Sequence, residues 1–170
     1  SGDARRDIVD AASLAIRTRT LQLSGLPFIF AKDNAKNALA GFSLGILRLR
    51  QQAYSDDPGG ISEKQYDAGN RWAAIVHKHA RFQGYKLHVH TPAFVMVAGT
   101  TGAEAEPDAE DVRLTRKAWS ACYDALVECG LEVRNITYAV CLENMPIPAL
   151  STQDYGHLRT GLNALARVLT

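Results

Sequence analysis

Apolar side chains recur at three- and four-residue spacings along most of the chain, and long polar intervals are few. That period belongs to helices with one buried face. The spacing predicts a first helix from Asp3 to about Leu23. Ile8, Ala12, Ala15 (or Ile16) and the Arg19 to Leu23 stretch follow its turns, and Gly25-Leu26-Pro27 ends it. Phe28-Ile29-Phe30 is an apolar patch too short to assign. Leu39 to Gln52 repeats Phe42, Ile46 and Leu49 on one face, although Gly41 and Gly45 each weaken a helix interior by about 1 kcal/mol. Ser55 to Gly60 is a loop.

The strongest helical signal starts at Ser62. Ser62 and Gln65 have the spacing of a capping box, and Ile61 sits at the staple position. From there to about Gly84 one stripe holds Tyr66, Gly69, Ala73, Val76 and Ala80. A second holds Trp72, Ile75, His79 and Phe82. Two stripes predict a central helix enclosed on more than one side. Between Tyr85 and Glu106 the pattern breaks around Pro92, predicting an extended linker or a small hairpin. Pro107 is placed to open a helix that runs to about Cys129, its first turn acidic through Asp108, Glu110 and Asp111. Gly130 separates it from a helix over Leu131 to about Glu143. Ser151, with Asp154 three residues on, caps a last helix striped by Leu158, Leu162, Leu165 and Leu169. The expected fold is therefore mainly α, a compact bundle of five to six helices. A single domain over 1–170 would have helical halves at about 1–84 and 107–170, joined by the linker 85–106.

Composition leaves this picture unchanged. The 170 residues are 46% hydrophobic and 22% charged, ordinary for a globular domain able to bury a core. Charge adds something. The formal net charge of +1 is a cancellation: +4 over residues 1–50, +1 over 51–100 and −4 over 101–170. A basic first third suits nucleic acid or an acidic surface, although solvated helix faces produce the same imbalance. Cys122, Cys129 and Cys141 are odd in number, form no C-x-x-C motif and fall in helical stretches, which fits a reducing, cytoplasmic setting. No apolar run approaches the ~20 residues of a membrane span, and Ser1 to Arg6 lacks the apolar stretch of a secretory signal.

Candidate chemistry is sparse. His77 and His79 point apart on a helix, and neither they nor His88 and His90 have Cys, Asp or Glu at ligand spacing, so no metal is expected. No nucleophile motif is present, and Gly41 to Gly45 lacks the Lys-Ser/Thr ending of a phosphate loop. No catalytic residue and no cofactor is expected. A helix-turn-helix can be drawn across Gly130, with Arg134, Asn135, Thr137 and Tyr138 projecting from its second helix. Arg and Asn are the residue types that read guanine and adenine edges. Glu128, Glu132 and Glu143 would then face phosphates, so a helical hairpin that merely packs is the favoured reading of that segment. A second basic surface could gather Arg5, Arg6, Arg17, Arg19, Lys32, Lys36, Arg48 and Arg50.

The stretch Gly60-Ile61-Ser62-Glu63-Lys64-Gln65-Tyr66-Asp67-Ala68-Gly69-Asn70-Arg71-Trp72 resembles helical bacterial proteins of unknown function, many of them phage- or prophage-associated. Their pattern is Ile-Ser-x-x-Gln-aromatic-x-Ala-Gly, followed by a basic and an aromatic residue. It is preceded by Leu-Gly-x-Leu, matched here by Leu44-Gly45-Ile46-Leu47, and Leu158 to Ala166 is similar to their closing helix. The resemblance covers about 39–84 and 112–169. It implies a helical domain sometimes found beside DNA-binding modules, and it carries no catalytic residues. The leading expectation is a non-enzymatic, DNA-associated protein of phage or prophage type, regulatory or related to DNA packaging. Its contacts to duplex DNA would come from the basic N-terminal half or from Arg134 and Asn135. The alternative is a structural or protein-interaction helical module, a homo-oligomer included, that touches no nucleic acid. No membrane partner is expected.

Overall fold

Most helices begin where a polar side chain takes up a free backbone donor of the first turn, and the two exceptions open at Pro27 and Gly130. The computed structural model describes residues 9–54, 59–85, 87 and 106–170. Helix α1 spans Ala11–Leu23, its first turn capped by the Asp10 carboxylate, which accepts from Ser13 N at 2.8 Å. Helix α2 is Phe28–Asn34, and a 3-10 turn covers Ala38–Gly41. Helix α3 is Ser43–Ala53 and α4 is Glu63–Phe82. After residue 106 come α5 (Ala109–Cys129), α6 (Leu131–Cys141), a 3-10 turn at Ile147–Ala149 and α7 (Thr152–Leu169). The mainly helical class is as expected. The described residues hold seven α-helices instead of five or six, and no strand.

The extra helix is α2, seven residues long, which the sequence left as an apolar patch. It forms because Ala31 and Ala35 are small enough to pack fully inward, and α1 lies against it. The helix expected over Leu39 to Gln52 is split: Phe42 is extended (φ −153°) and separates the 3-10 turn from α3. Gly45 lets the two pieces fold together, since a Cβ there would overlap the Leu39 backbone. Pro107 stays outside α5, because the Asp108 carboxylate caps the helix by accepting from Glu110 N at 3.1 Å. The capping boxes at Ser62–Gln65 and Ser151–Asp154 form as read. The linker or hairpin expected near 85–106 lies almost wholly outside the described residues.

The core joins both halves of the chain. Leu47, Leu49 and Ile61 pack in one cluster with Leu126, Leu162 and Leu165. Helix α7 is apolar on its inner face and touches α4, α5 and α6. It shares the central position that the sequence assigns to α4 alone. Two glycines permit the approach. Gly69 on α4 meets Leu162 and Cys141 at 3.1 and 3.2 Å from where its Cβ would be, and Gly161 on α7 meets Thr137. Burying these faces is the main stabilising term, at ~25 cal/mol per Å² of apolar surface removed from water.

Helix α1 stands apart from this scheme. It rests on α2 and the first 3-10 turn, and Leu21 is its one fully buried residue. Ala12, Ala15 and Ile16, expected to face a core, are exposed.

Candidate functional site

Two surfaces concentrate the polar and aromatic groups a function could use. The first is the α1–α2 hairpin. Ile16, Leu23, Phe28 and Ile29 are 67, 57, 56 and 73% exposed. Four large apolar side chains this open fall on two adjoining helices. The same stretch of chain carries Arg19, Lys32 and Lys36, all exposed. Arg17 is half-buried and donates from Nη1 to Ala35 O at 3.3 Å, tying α1 to the end of α2.

The other basic candidates turn inward or fall elsewhere. Arg5 and Arg6 lie outside the described residues. Arg48 donates to Ile61 O at 3.5 Å. Arg50 donates to the Tyr155 hydroxyl at 3.1 Å, sits 5.4 Å from the centre of that ring, and lies against the backbone at Gly25 and Gly59. These two side chains hold α3 to the loop at 59–61 and to α7. The structure thus groups Arg17, Arg19, Lys32 and Lys36 on one hairpin and separates Arg48 and Arg50 from it.

The second surface is a groove between α5 and α6, floored by Trp72 and Val76 of α4, with a volume of about 450 Å³. Gly130, at φ 108°, is the one residue between the two flanking helices. Trp119, Tyr123 and Leu126 line one wall. Arg134, Asn135, Tyr138 and Glu143 line the other. The aromatic rings form a continuous stack. His79 lies on Trp119 (centroids 4.4 Å apart, planes at 15°), and Trp119 lies on Tyr123 (5.2 Å, 16°). The Arg134 guanidinium lies 5.8 Å from the centre of the Tyr123 ring and donates to its hydroxyl at 3.2 Å. Trp72 meets Tyr138 edge-on at 6.0 Å.

Protonation follows from these neighbours. Burial, with a smaller push from the Arg116 charge, holds the His79 imidazole below its ordinary value. Burial and the nearby Glu143 carboxylate raise the Tyr138 phenol. Cys122 is pushed up to about 11 and Cys141 to about 12, both by burial, so neither is a thiolate near neutral pH. Among the described residues no group of His, Cys, Asp or Glu could hold a metal ion.

Of the four side chains expected to project from the second helix, two turn inward. Thr137, expected to project, is fully buried and donates to Val133 O at 2.7 Å. Tyr138 is half-buried against Trp72, and Asn135 is exposed beside Arg134. Sequence reasoning missed the groove as a unit because its walls come from three helices. A local trace existed in Trp119–Tyr123 and Arg134–Tyr138, two i,i+4 pairs placed either side of Gly130. Among the described residues no helix is long and apolar enough to cross a membrane. No family model, no curated protein and no solved structure matches the chain.

Proposed function

We propose that this chain is a non-enzymatic helical protein-interaction module that presents the α1–α2 hairpin to a protein partner. One observation carries the reading: Ile16, Leu23, Phe28 and Ile29 are each more than half exposed on a hairpin that has little burial of its own. Helix α1 buries one residue fully, and a covering partner would add packing on its exposed face. Burying the four side chains would contribute roughly 1.5–3 kcal/mol each before the costs of association.

A DNA-associated role of phage or prophage type, regulatory or packaging-related, is the second reading. It draws support from Arg19, Lys32 and Lys36, which are exposed on that same hairpin. Phosphate contacts by three cations would give a binding constant that falls with salt at a logarithmic slope of about −3. Apolar groups as prominent as Phe28 and Ile29 favour the protein partner.

Photo-crosslinking separates the readings. Ile29 replaced by benzoylphenylalanine, in cells that make the chain, should yield covalent adducts to polypeptide. Adducts to nucleic acid alone, or none, would overturn the interaction reading.

A further inference from the structure

We propose that the groove between α5 and α6 binds a small, uncharged, planar heteroaromatic molecule of two or three fused rings. This site is independent of the α1–α2 hairpin and of whatever covers it. A volume of about 450 Å³ falls within the range of small-molecule sites. Four of the nine lining residues are aromatic, and Trp72 and Trp119 are the chain's two tryptophans. Such a lining favours a guest with a π system, through offset and edge-on ring contacts that an aliphatic guest cannot make.

Charge narrows the class. The lining holds one cation, Arg134, and one carboxylate, Glu143. A cationic guest is opposed by the first and an anionic guest by the second, so the balance favours a molecule with no net charge. Hydrogen bonding narrows it further. Arg134 spends donors on the Tyr123 hydroxyl and on Asn135 Oδ1, and a guanidinium has five. Among the described residues the Asn135 amide nitrogen donates to nothing and the Glu143 carboxylate accepts from nothing. Donors and an acceptor thus stand open on the wall opposite Trp119 and Tyr123. A flat ring system with carbonyls or ring nitrogens and N–H groups along its edges, of the nucleobase, pterin or flavin kind, satisfies both walls at once. Leu142 keeps a helical backbone past the end of α6, so the nine positions from Arg134 to Glu143 span roughly 13 Å at the helical rise. That separation suits two or three fused rings with a hydrogen bond at each end.

Because both tryptophans line the groove, the two indole N–H resonances of the isotope-labelled chain report on it directly. Riboflavin and adenosine serve as uncharged fused-ring probes. The anion 2-naphthoate and the cation 2-naphthylmethylammonium serve as charged ones of similar size. Riboflavin or adenosine should shift both indole signals saturably, and each charged naphthalene should bind about tenfold more weakly or less. Asn135→Leu, at an exposed position, should weaken binding of the uncharged probe about tenfold through the lost hydrogen bond. Glu143→Gln should leave that binding within about threefold of wild type and strengthen naphthoate binding, because the amide keeps an acceptor and drops the charge. Absence of a saturable shift with either uncharged probe would overturn the proposal. So would a charged naphthalene that binds wild type as tightly as riboflavin, a comparison that needs no variant to fold. Binding of riboflavin and naphthoate that ignores both substitutions would place the site elsewhere and overturn it as well.

Discussion

Gly161 on α7 faces Thr137 on α6 so closely that a Cβ at position 161 would overlap the Thr137 hydroxyl oxygen. Thr137 cannot swing away, since it is fully buried and its hydroxyl is bonded to Val133 O at 2.7 Å. The glycine sets how near the last helix comes to the wall of the groove.

Gly161→Ala should therefore destabilise the fold by about 1–3 kcal/mol, because overpacking outweighs the ~1 kcal/mol that Ala gains in a helix. Gly156, on the same helix with open space around its Cα, is the internal control: Gly156→Ala should stabilise by about 0.5–1 kcal/mol. Urea unfolding of both variants reads the opposite signs. Equal effects would contradict the packing described for α6 and α7.

Helix α3 takes its cap from the far end of the chain. Asn144 Oδ1 accepts from Ser43 N at 2.7 Å, while the Ser43 hydroxyl donates to Met145 O at 2.6 Å. Asn144 holds a φ of 54°, which asparagine tolerates better than most residues. Asn144→Ala should cost about 1–2 kcal/mol through the lost cap, with more for the backbone conformation. Asn144→Asp should retain most of the stability, because a carboxylate also accepts from the first turn. Thermal melting of the two variants checks the order.

The thiols should divide by burial. In the native chain an aromatic disulfide reagent should titrate Cys129, which is half-exposed, and reach Cys122 and Cys141 after unfolding. Their thiol pKa values of about 11 and 12 lie above the ordinary value near 9, so the folded form binds their protons more tightly. That contribution is fully present below pH 9 and lost as pH rises through the folded values. Tyr66 and Tyr138, also raised by burial, act in the same direction. The urea midpoint should fall between pH 9 and 11; a flat profile would contradict the burial of both thiols.

His79 carries the acid-side counterpart. Its lowered pKa means that the folded chain favours the neutral ring stacked on Trp119. The associated stability is present above the unfolded value near 6.5 and is lost as pH falls through the folded one. The imidazole proton resonances should titrate with a midpoint below 6.5. Arg116→Ala should move it upward, since the Arg116 charge is one of the two causes of the shift. A wild-type midpoint above 6.5 would contradict the stack.

Legibility tracked distance along the chain. The Ser62–Gln65 and Ser151–Asp154 boxes were readable because both partners lie within one turn. The buried face of α4 through Gly69, Ala73 and Val76 was readable from its stripes, and α3, α5, α6 and α7 all pack on that helix. Helix α1 shows the converse. Its apolar spacing is helical, yet Ile16 is exposed, because burial needs a neighbour and spacing alone supplies none. The cap from Asn144 to Ser43 spans 101 residues and left no local trace. Arg48 and Arg50 resembled free basic contacts, but their partners Ile61 and Tyr155 become visible only once the bundle folds. The aromatic groove was hidden for the same reason: Trp72 reads as a core residue of α4 and Tyr138 as a projecting side chain of α6, and nothing local joins either to Trp119.

A protein partner on the α1–α2 face would cover Phe28 and Ile29 when the chain works. Hydroxyl-radical footprinting of Phe28 and Ile29, in cells that make the chain and in dilute purified solution, measures it most directly. Tyr85, exposed and on neither surface, serves as reference. Several-fold less oxidation of Phe28 and Ile29 is expected in the cell, with Tyr85 unchanged. Equal oxidation of Phe28 and Ile29 in both settings would contradict it.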